Sequence, residues 1–250
     1  MHSQRGHDGN SRSPYPSSEK STTPLQKGNE QTLEKYKPLL EKPRMGLIGG
    51  TFDPIHYAHL AAAEEVYVAL DLTEMVFIPA GQPPHKSEQE HTESLHRLAM
   101  VELAIASNPH FTLSRVEIDR QGPSYLVDTL RILHDQWGSD AELFFVIGWD
   151  SLKEFHTWYK ARDILAQLTG LVAVTRPGYE QDIGYNKELE TRLPGITQCL
   201  MVVPTPQLAI SSTDLRRRVA EGRPIKYQTP EAVERYIIEH SLYQGNKPSS

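Results

Sequence analysis

Residues 45–66 read MGLIGGTFDPIHYAHLAAAEEV, and the rest of the chain is best understood outward from them. A strand-like apolar run ends at Gly49-Gly50, a turn follows, and a helical stretch opens with His56 and His59 one turn apart. The glycine pair lets the main chain approach a ligand with no Cβ in the way. The helix, expected to begin near Ile55 or His56, turns its free amides and the positive end of its dipole toward the same space. Asp53-Pro54 starts the turn, with Pro54 tolerated in a first helical turn that needs no amide donor. Two imidazoles at such an end suit phosphate, because they donate hydrogen bonds to its oxygens and stabilise charge that builds up in phosphoryl or nucleotidyl transfer. A histidine pair at this spacing also suits zinc, but no carboxylate or cysteine cluster stands with it at zinc spacing. The glycines come with neither G-x-G-x-x-G nor a Walker lysine, which argues against a Rossmann dehydrogenase and a P-loop NTPase.

From Arg44 onward, apolar runs alternate with helical patterns. MGLIGG, MVFIPA, FTLSRVEI, ELFFVIG, TGLVAVTR and QCLMVVP read as strands, and segments around 57–70, 94–107, 124–136 and 180–192 read as helices. Strands apolar on both faces and separated by helices imply a parallel sheet covered on both sides, with right-handed crossovers. The expected fold is therefore α/β, a Rossmann-like doubly wound parallel sheet with a helical C-terminus, over residues 44–250. Ligands of such sheets bind beyond the carboxyl ends of the strands, and Gly49 to His59 lies at one. Residues 1–43 are rich in Ser, Pro, Gly, Asn and charge, and read as a disordered tail.

Composition excludes several classes. The chain has 250 residues, 38% of them apolar, enough for one full core with a tail. A net charge of -6 gives no overall attraction for nucleic acid, so any anion must be caught locally. The single cysteine, Cys199, excludes an intramolecular disulfide framework and reads as an inert thiol in the apolar run CLMVV. No stretch approaches the length of a membrane span and no signal-peptide core opens the chain, so a soluble, cytoplasmic protein is expected. The sequence leaves its oligomeric state open.

A second constellation lies in PQLAISSTDLRRRVAEGRPIKYQTPEAVERYIIEH, within residues 206–240. Ser211, Ser212 or Thr213 caps a helix that carries Asp214 in its first turn, making a second anion-ready helix start. Arg216, one turn in, points back toward that cap and offers a bidentate fork to phosphate. Alone, SSTDLRRR is a capped, solvated basic helix; its weight comes from the first motif.

GGTFDPIHYAHL together with ISSTDLR resembles the paired signature of the nucleotidylyltransferase superfamily, G-x-F-D-P-x-H-x-G-H and I-S-S-T-x-I-R. Between them, FIPAGQPPHK, RQGPSYLVDTL, FFVIGWDSLKEFHTWYKARDIL and AVTRPG resemble the bacterial nicotinate-nucleotide adenylyltransferases in order and spacing. Two positions depart: Ala58 replaces the glycine between the histidines, a change expected to be silent, and Leu126 replaces the threonine common after PSY.

The resemblance implies transfer of AMP from ATP to the phosphate of nicotinate mononucleotide, with ATP as co-substrate and Mg²⁺ carried mainly by the triphosphate. It assigns catalysis to His56, His59 and Arg216, and the ATP side to Gly49, Gly50, Thr51, Phe52, Asp53, Arg176, Ser211, Ser212 and Thr213. The mononucleotide side falls to Lys86, Tyr125, Leu126, Gly148, Asp150, Trp158 and Tyr159. Lys86 would meet the mononucleotide phosphate, Asp150 a ribose hydroxyl, and the Trp158-Tyr159 pair the pyridine, while main-chain amides receive its carboxylate. Alone, Asp150 also reads as an N-cap for the helix SLKEF. An anionic phosphate nucleophile needs no general base, which fits the lack of a Ser-His-Asp or reactive-cysteine signature. The rivals are an adenylyltransferase acting on nicotinamide mononucleotide or pantetheine phosphate, and a nucleotide-sensing module without turnover. A class I tRNA synthetase would need a K-M-S-K-S loop that the chain lacks.

Overall fold

The computed structural model of the chain describes residues 42–82, 91–175, 183–206 and 208–244. The tail expected over residues 1–43 therefore lies outside the described residues except for its last two positions, and so do Lys86 and Arg176.

In chain order the elements are β1 (Arg44–Gly50), α1 (Tyr57–Ala69), β2 (Glu74–Pro79), α2 (Ser94–Ile105), β3 (Phe111–Leu113), α3 (Leu126–Trp137), β4 (Glu142–Gly148) and α4 (Trp149–Glu154). A 3-10 turn over Phe155–Thr157 leads to α5 (Ala161–Gln167), β5 (Gly170–Thr175), α6 (Ile183–Arg192), α7 (Ile196–Cys199), β6 (Leu200–Pro204), α8 (Ser212–Ala220) and α9 (Glu231–Glu239). The six strands form one sheet in the order β3-β2-β1-β4-β5-β6, with every pairing parallel. The strand order reverses between β1 and β4, which opens a crevice at their carboxyl ends.

Because successive strand side chains face opposite ways, the apolar runs feed two cores. Leu47, Phe145 and Leu171 pack with Val127 and Leu130 of α3 and Ile164 of α5 on one face. Ile48, Phe144 and Val172 pack with Val66 of α1, Met100 of α2, Leu215 of α8 and Ile237 of α9 on the other. Both faces are thus covered, which is why the strands carry apolar residues without alternation.

Three boundaries differ from expectation. The run FTLSRVEI is a strand only through Leu113, because the chain then turns and buries Glu117 beneath the loop after β2. QCLMVVP becomes a strand only at Leu200, with Cys199 ending α7, where its thiol is part-buried against the Ile196 carbonyl. Helix α1 starts at Tyr57 with an extended His56 as its N-cap, so Pro54 stands ahead of the helix rather than in its first turn.

Candidate active site

The loop from Thr51 to His56 leaves the end of β1 at the crevice. Phe52 adopts a left-handed backbone, φ 49°, and turns its ring into the core against Phe77 and the edge of His59. Asp53 is 2% exposed. Phe52 and Asp53, both expected to meet a nucleotide, thus direct their side chains into the protein and can offer a ligand only main chain.

His56 and His59 lie stacked, with ring centroids 3.8 Å apart. The His56 amide donates to His59 Nδ1 at 3.3 Å. That nitrogen must therefore carry a lone pair, which leaves the His59 proton on Nε2. Desolvation by burial lowers His56 to about 4. Desolvation and then the neighbouring His56 lower His59 to about 3. Both rings are neutral at physiological pH, each with one N–H to give. His56 Nδ1 is buried and has no hydrogen-bond partner within the protein.

The two signature motifs are bonded directly to each other. Ser212 Oγ donates to the Pro54 carbonyl at 2.8 Å, and Arg216 Nη1 donates to the Asp53 carbonyl at 2.7 Å. Ser211 is the N-cap of α8, accepting from the Asp214 amide at 3.2 Å, and Thr213 stands exposed in the first turn. The start of α8, the start of α1 and Arg216 therefore gather at one rim, a concentration of donors suited to a polyanion.

Beneath that rim lies a group that sequence reading missed. Arg97 of α2 is 2% exposed and donates to the carbonyls of Thr51 at 2.8 Å, Thr92 at 2.9 Å, Ala80 at 2.7 Å and Gly81 at 3.2 Å. It knits the loops after β1 and β2 to the start of α2. Nothing in the pattern HRLAM distinguishes such an arginine from a solvated one, because its partners are main-chain carbonyls supplied by the fold. Asp53 likewise accepts from Tyr243 Oη at 2.6 Å and from the Thr92 amide at 3.2 Å, contacts joining residues far apart in sequence.

Two cavities flank the corner between β1 and α1. One, of about 270 Å³, has Gly49, Gly50 and Thr51 on one side and Tyr125, Leu126 and Tyr159 on the other. The rings of Tyr125 and Tyr159 are 4.5 Å apart. Trp158 also lines it, backed by Phe155 and Phe145. Glu117 forms part of the wall, where burial raises its carboxyl pKa even though it accepts from Thr129 Oγ1 at 2.7 Å. The second cavity, of about 460 Å³, is bordered by Ala58, Asp150, Thr175 and Thr205. Asp150, paired with Lys153 at 3.4 Å, thus stands apart from Tyr125, Leu126, Trp158 and Tyr159, with which sequence reading had grouped it. Gly148, not Asp150, is the N-cap of α4, because β4 ends there and its extended backbone leads straight into the helix. Among the described residues, no group of three or more His, Cys, Asp or Glu is gathered to hold a metal ion, and no helix is long and apolar enough to cross a membrane.

Comparison with known proteins fits this geometry. The cytidylyltransferase-like family pattern matches residues 47–218. A protein of Thermomicrobium roseum named "Probable nicotinate-nucleotide adenylyltransferase" is 47% identical over 201 residues, which cover 80% of this chain and 92% of that protein. The chain belongs to the nicotinate-nucleotide adenylyltransferase family. A family member of the same name from a Thermoanaerobacter species is 45% identical over 204 residues, 82% of this chain and 96% of its own length. The nicotinic acid mononucleotide adenylyltransferase of Plasmodium falciparum, solved in complex with NaAD, shares the fold at a TM-score of 0.64 and 20% identity, covering 80% of this chain and 97% of its own. Against the family pattern, the departure at Ala58 sets a methyl group on the border of the larger cavity, and Leu126 is the first residue of α3.

Proposed function

We propose that this protein transfers AMP from ATP to the phosphate of nicotinate mononucleotide, releasing pyrophosphate and forming deamido-NAD in NAD biosynthesis. The observation that carries this reading is a juxtaposition. Gly49, Gly50 and Thr51 line the aromatic cavity, and the chain runs from Thr51 straight into the Asp53-Pro54 segment to which Arg216 and Ser212 of the donor-rich rim are bonded, so a ring in the cavity and a triphosphate on the rim would meet near the end of β1. The names of the relatives point to the same pair of substrates.

The mononucleotide phosphate is already an anion, so attack on the ATP α-phosphorus needs alignment rather than a base. The neutral imidazoles of His56 and His59 donate to oxygens whose charge grows as the bond to pyrophosphate breaks. Arg216 and the first amides of α8, gathered at the same rim, add fixed positive potential. Mg²⁺ carried by ATP would be held mainly by the phosphates rather than by side chains, and would supply charge neutralisation for the leaving pyrophosphate. Gly49, Gly50, Thr51, Ser211, Ser212, Thr213 and the main chain of Phe52 and Asp53 form the ATP side. Asp150, expected on the mononucleotide, borders the larger cavity and belongs there with ATP. Arg176 and Lys86 keep the roles that the family resemblance gives them.

Tyr125, Leu126, Trp158 and Tyr159 take the pyridine ring. The test is a comparison of pyrophosphate release with ATP and Mg²⁺ and either nicotinate or nicotinamide mononucleotide. The nicotinate form should be preferred by about 10- to 100-fold, the factor set when one or two buried donors lose an acceptor. Equal rates would defeat the carboxylate assignment.

A further inference from the structure

Asp53 is the most enclosed carboxylate at the rim, 2% exposed, and no step of the proposed transfer consumes it. Its surroundings are nonetheless elaborate. Tyr243 Oη, from the segment after α9, donates to Oδ1 at 2.6 Å, with Met100 Sδ behind it at 3.9 Å. The Thr92 amide donates to Oδ2 at 3.2 Å, and His91 Nδ1 lies 3.6 Å from the same oxygen. Arg216 Nη1 lies 4.0 Å from Oδ2 while donating to the Asp53 carbonyl at 2.7 Å. Arg97 adds its charge from beneath.

Arg216 is therefore aimed by Asp53, through both its carbonyl and its carboxylate, and the shortest bond to that carboxylate comes from Tyr243. We propose that Tyr243 is a positioning residue: by fixing the Asp53 carboxylate it fixes the Asp53 main chain, and so the direction in which Arg216 presents its guanidinium to phosphate. The inference rests on the reading that this rim carries out the AMP transfer. A guanidinium that drifts from its aim still carries charge, so substrate binding survives better than the rate.

Electrostatics supply a readout that packing alone would not move. Burial by itself would raise the Asp53 pKa, but hydrogen bonds from Tyr243 and Thr92 and the charge of Arg216 hold it below the usual value. Removing the Tyr243 hydroxyl removes the largest of these opposing effects, so Asp53 takes up a proton at higher pH.

Tyr243→Phe keeps the ring against Met100 and deletes only the hydroxyl. The variant is expected to melt cooperatively and to keep its KM for nicotinate mononucleotide. Its kcat should fall by about 10²-fold, the cost of a misplaced catalytic group, and the acid limb of its kcat profile should move to higher pH. In an Arg216→Ala background the same substitution should cost nothing further, because the group it aims is gone. An equal loss in both backgrounds, or a loss confined to melting temperature, would overturn the proposal. NMR titration of the Asp53 carboxyl carbon in the free protein, before and after Tyr243→Phe, reads the Tyr243–Asp53 link without any substrate: its midpoint should rise in the variant, and an unmoved midpoint would overturn the proposal. A protein that binds ATP but fails to turn over nicotinate mononucleotide would sink the substrate reading, while this titration still decides the role of Tyr243.

Discussion

Two imidazoles stacked 3.8 Å apart cannot both hold a proton cheaply, and here neither does. An unperturbed histidine titrates near 6.5, whereas burial takes His56 to about 4, and burial with its neighbour takes His59 to about 3. Between those values and 6.5 the folded chain binds fewer protons than the unfolded one, so these residues make stability fall as the pH drops through that window. Bound triphosphate should reverse the preference by offering negative charge to the rings. In NMR titrations of ring carbons, both histidines should stay neutral down to about pH 5 in the free protein, and ATP should move their titration upward. Rings that titrate near 6.5 in the free protein would contradict the burial described. That His56 and His59 stand together at the start of α1 and that Arg216 lies one turn into a capped helix was legible in sequence, because helix starts and caps are read from local pattern. Arg97, Asp53 and Tyr243 act through main-chain carbonyls and through a bond across 190 positions, which no local pattern encodes.

At the scale of elements, the sheet strands apart from β3 and helices α1 to α3 lie close to where periodicity placed them, because each buries a continuous apolar face. Of the short pieces, α4 was visible only as the stretch SLKEF and α5 and α7 were not; with four to seven residues each, they are held by tertiary packing rather than propensity. The loops gain their shape from close approach. A Cβ built on Gly81 would stand 2.1 Å from the Glu117 carbonyl oxygen, whereas one on Gly148 would meet nothing within 4 Å. Gly81→Ala should therefore cost about 1–3 kcal/mol in chemical denaturation, as overpacking does, and should loosen the cavity that Glu117 and Ser124 help to wall. Gly148→Ala should stay within about 1 kcal/mol of the parent, the scale of an N-cap change. Similar losses at both positions would show that the Gly81 contact relaxes without strain.

At the scale of the molecule, the order β3-β2-β1-β4-β5-β6 sets the crevice, and every described contact of the site comes from residues between 44 and 244. Residues 1–30 show almost no apolar periodicity, so their removal should leave kcat and KM within about twofold, the scatter expected of changes away from a core or site. A larger loss in steady-state assays would assign the tail a part in the reaction. Composition had marked this stretch off from the α/β domain, and the parallel sheet followed from apolar runs with no polar face. The division of the candidate residues between two cavities was less accessible, as the separation of Asp150 from Tyr125, Trp158 and Tyr159 illustrates, because it depends on which side of a corner each loop passes. The Tyr243–Asp53 bond has a consequence for synthesis on the ribosome. Asp53 emerges 190 residues before the tyrosine whose hydroxyl holds its carboxylate, so a chain stopped short of residue 243 carries both phosphate motifs without that bond. On the proposed role of Tyr243, such fragments would be poor catalysts even where the sheet has formed, which makes synthesis through residue 243 a condition for turnover.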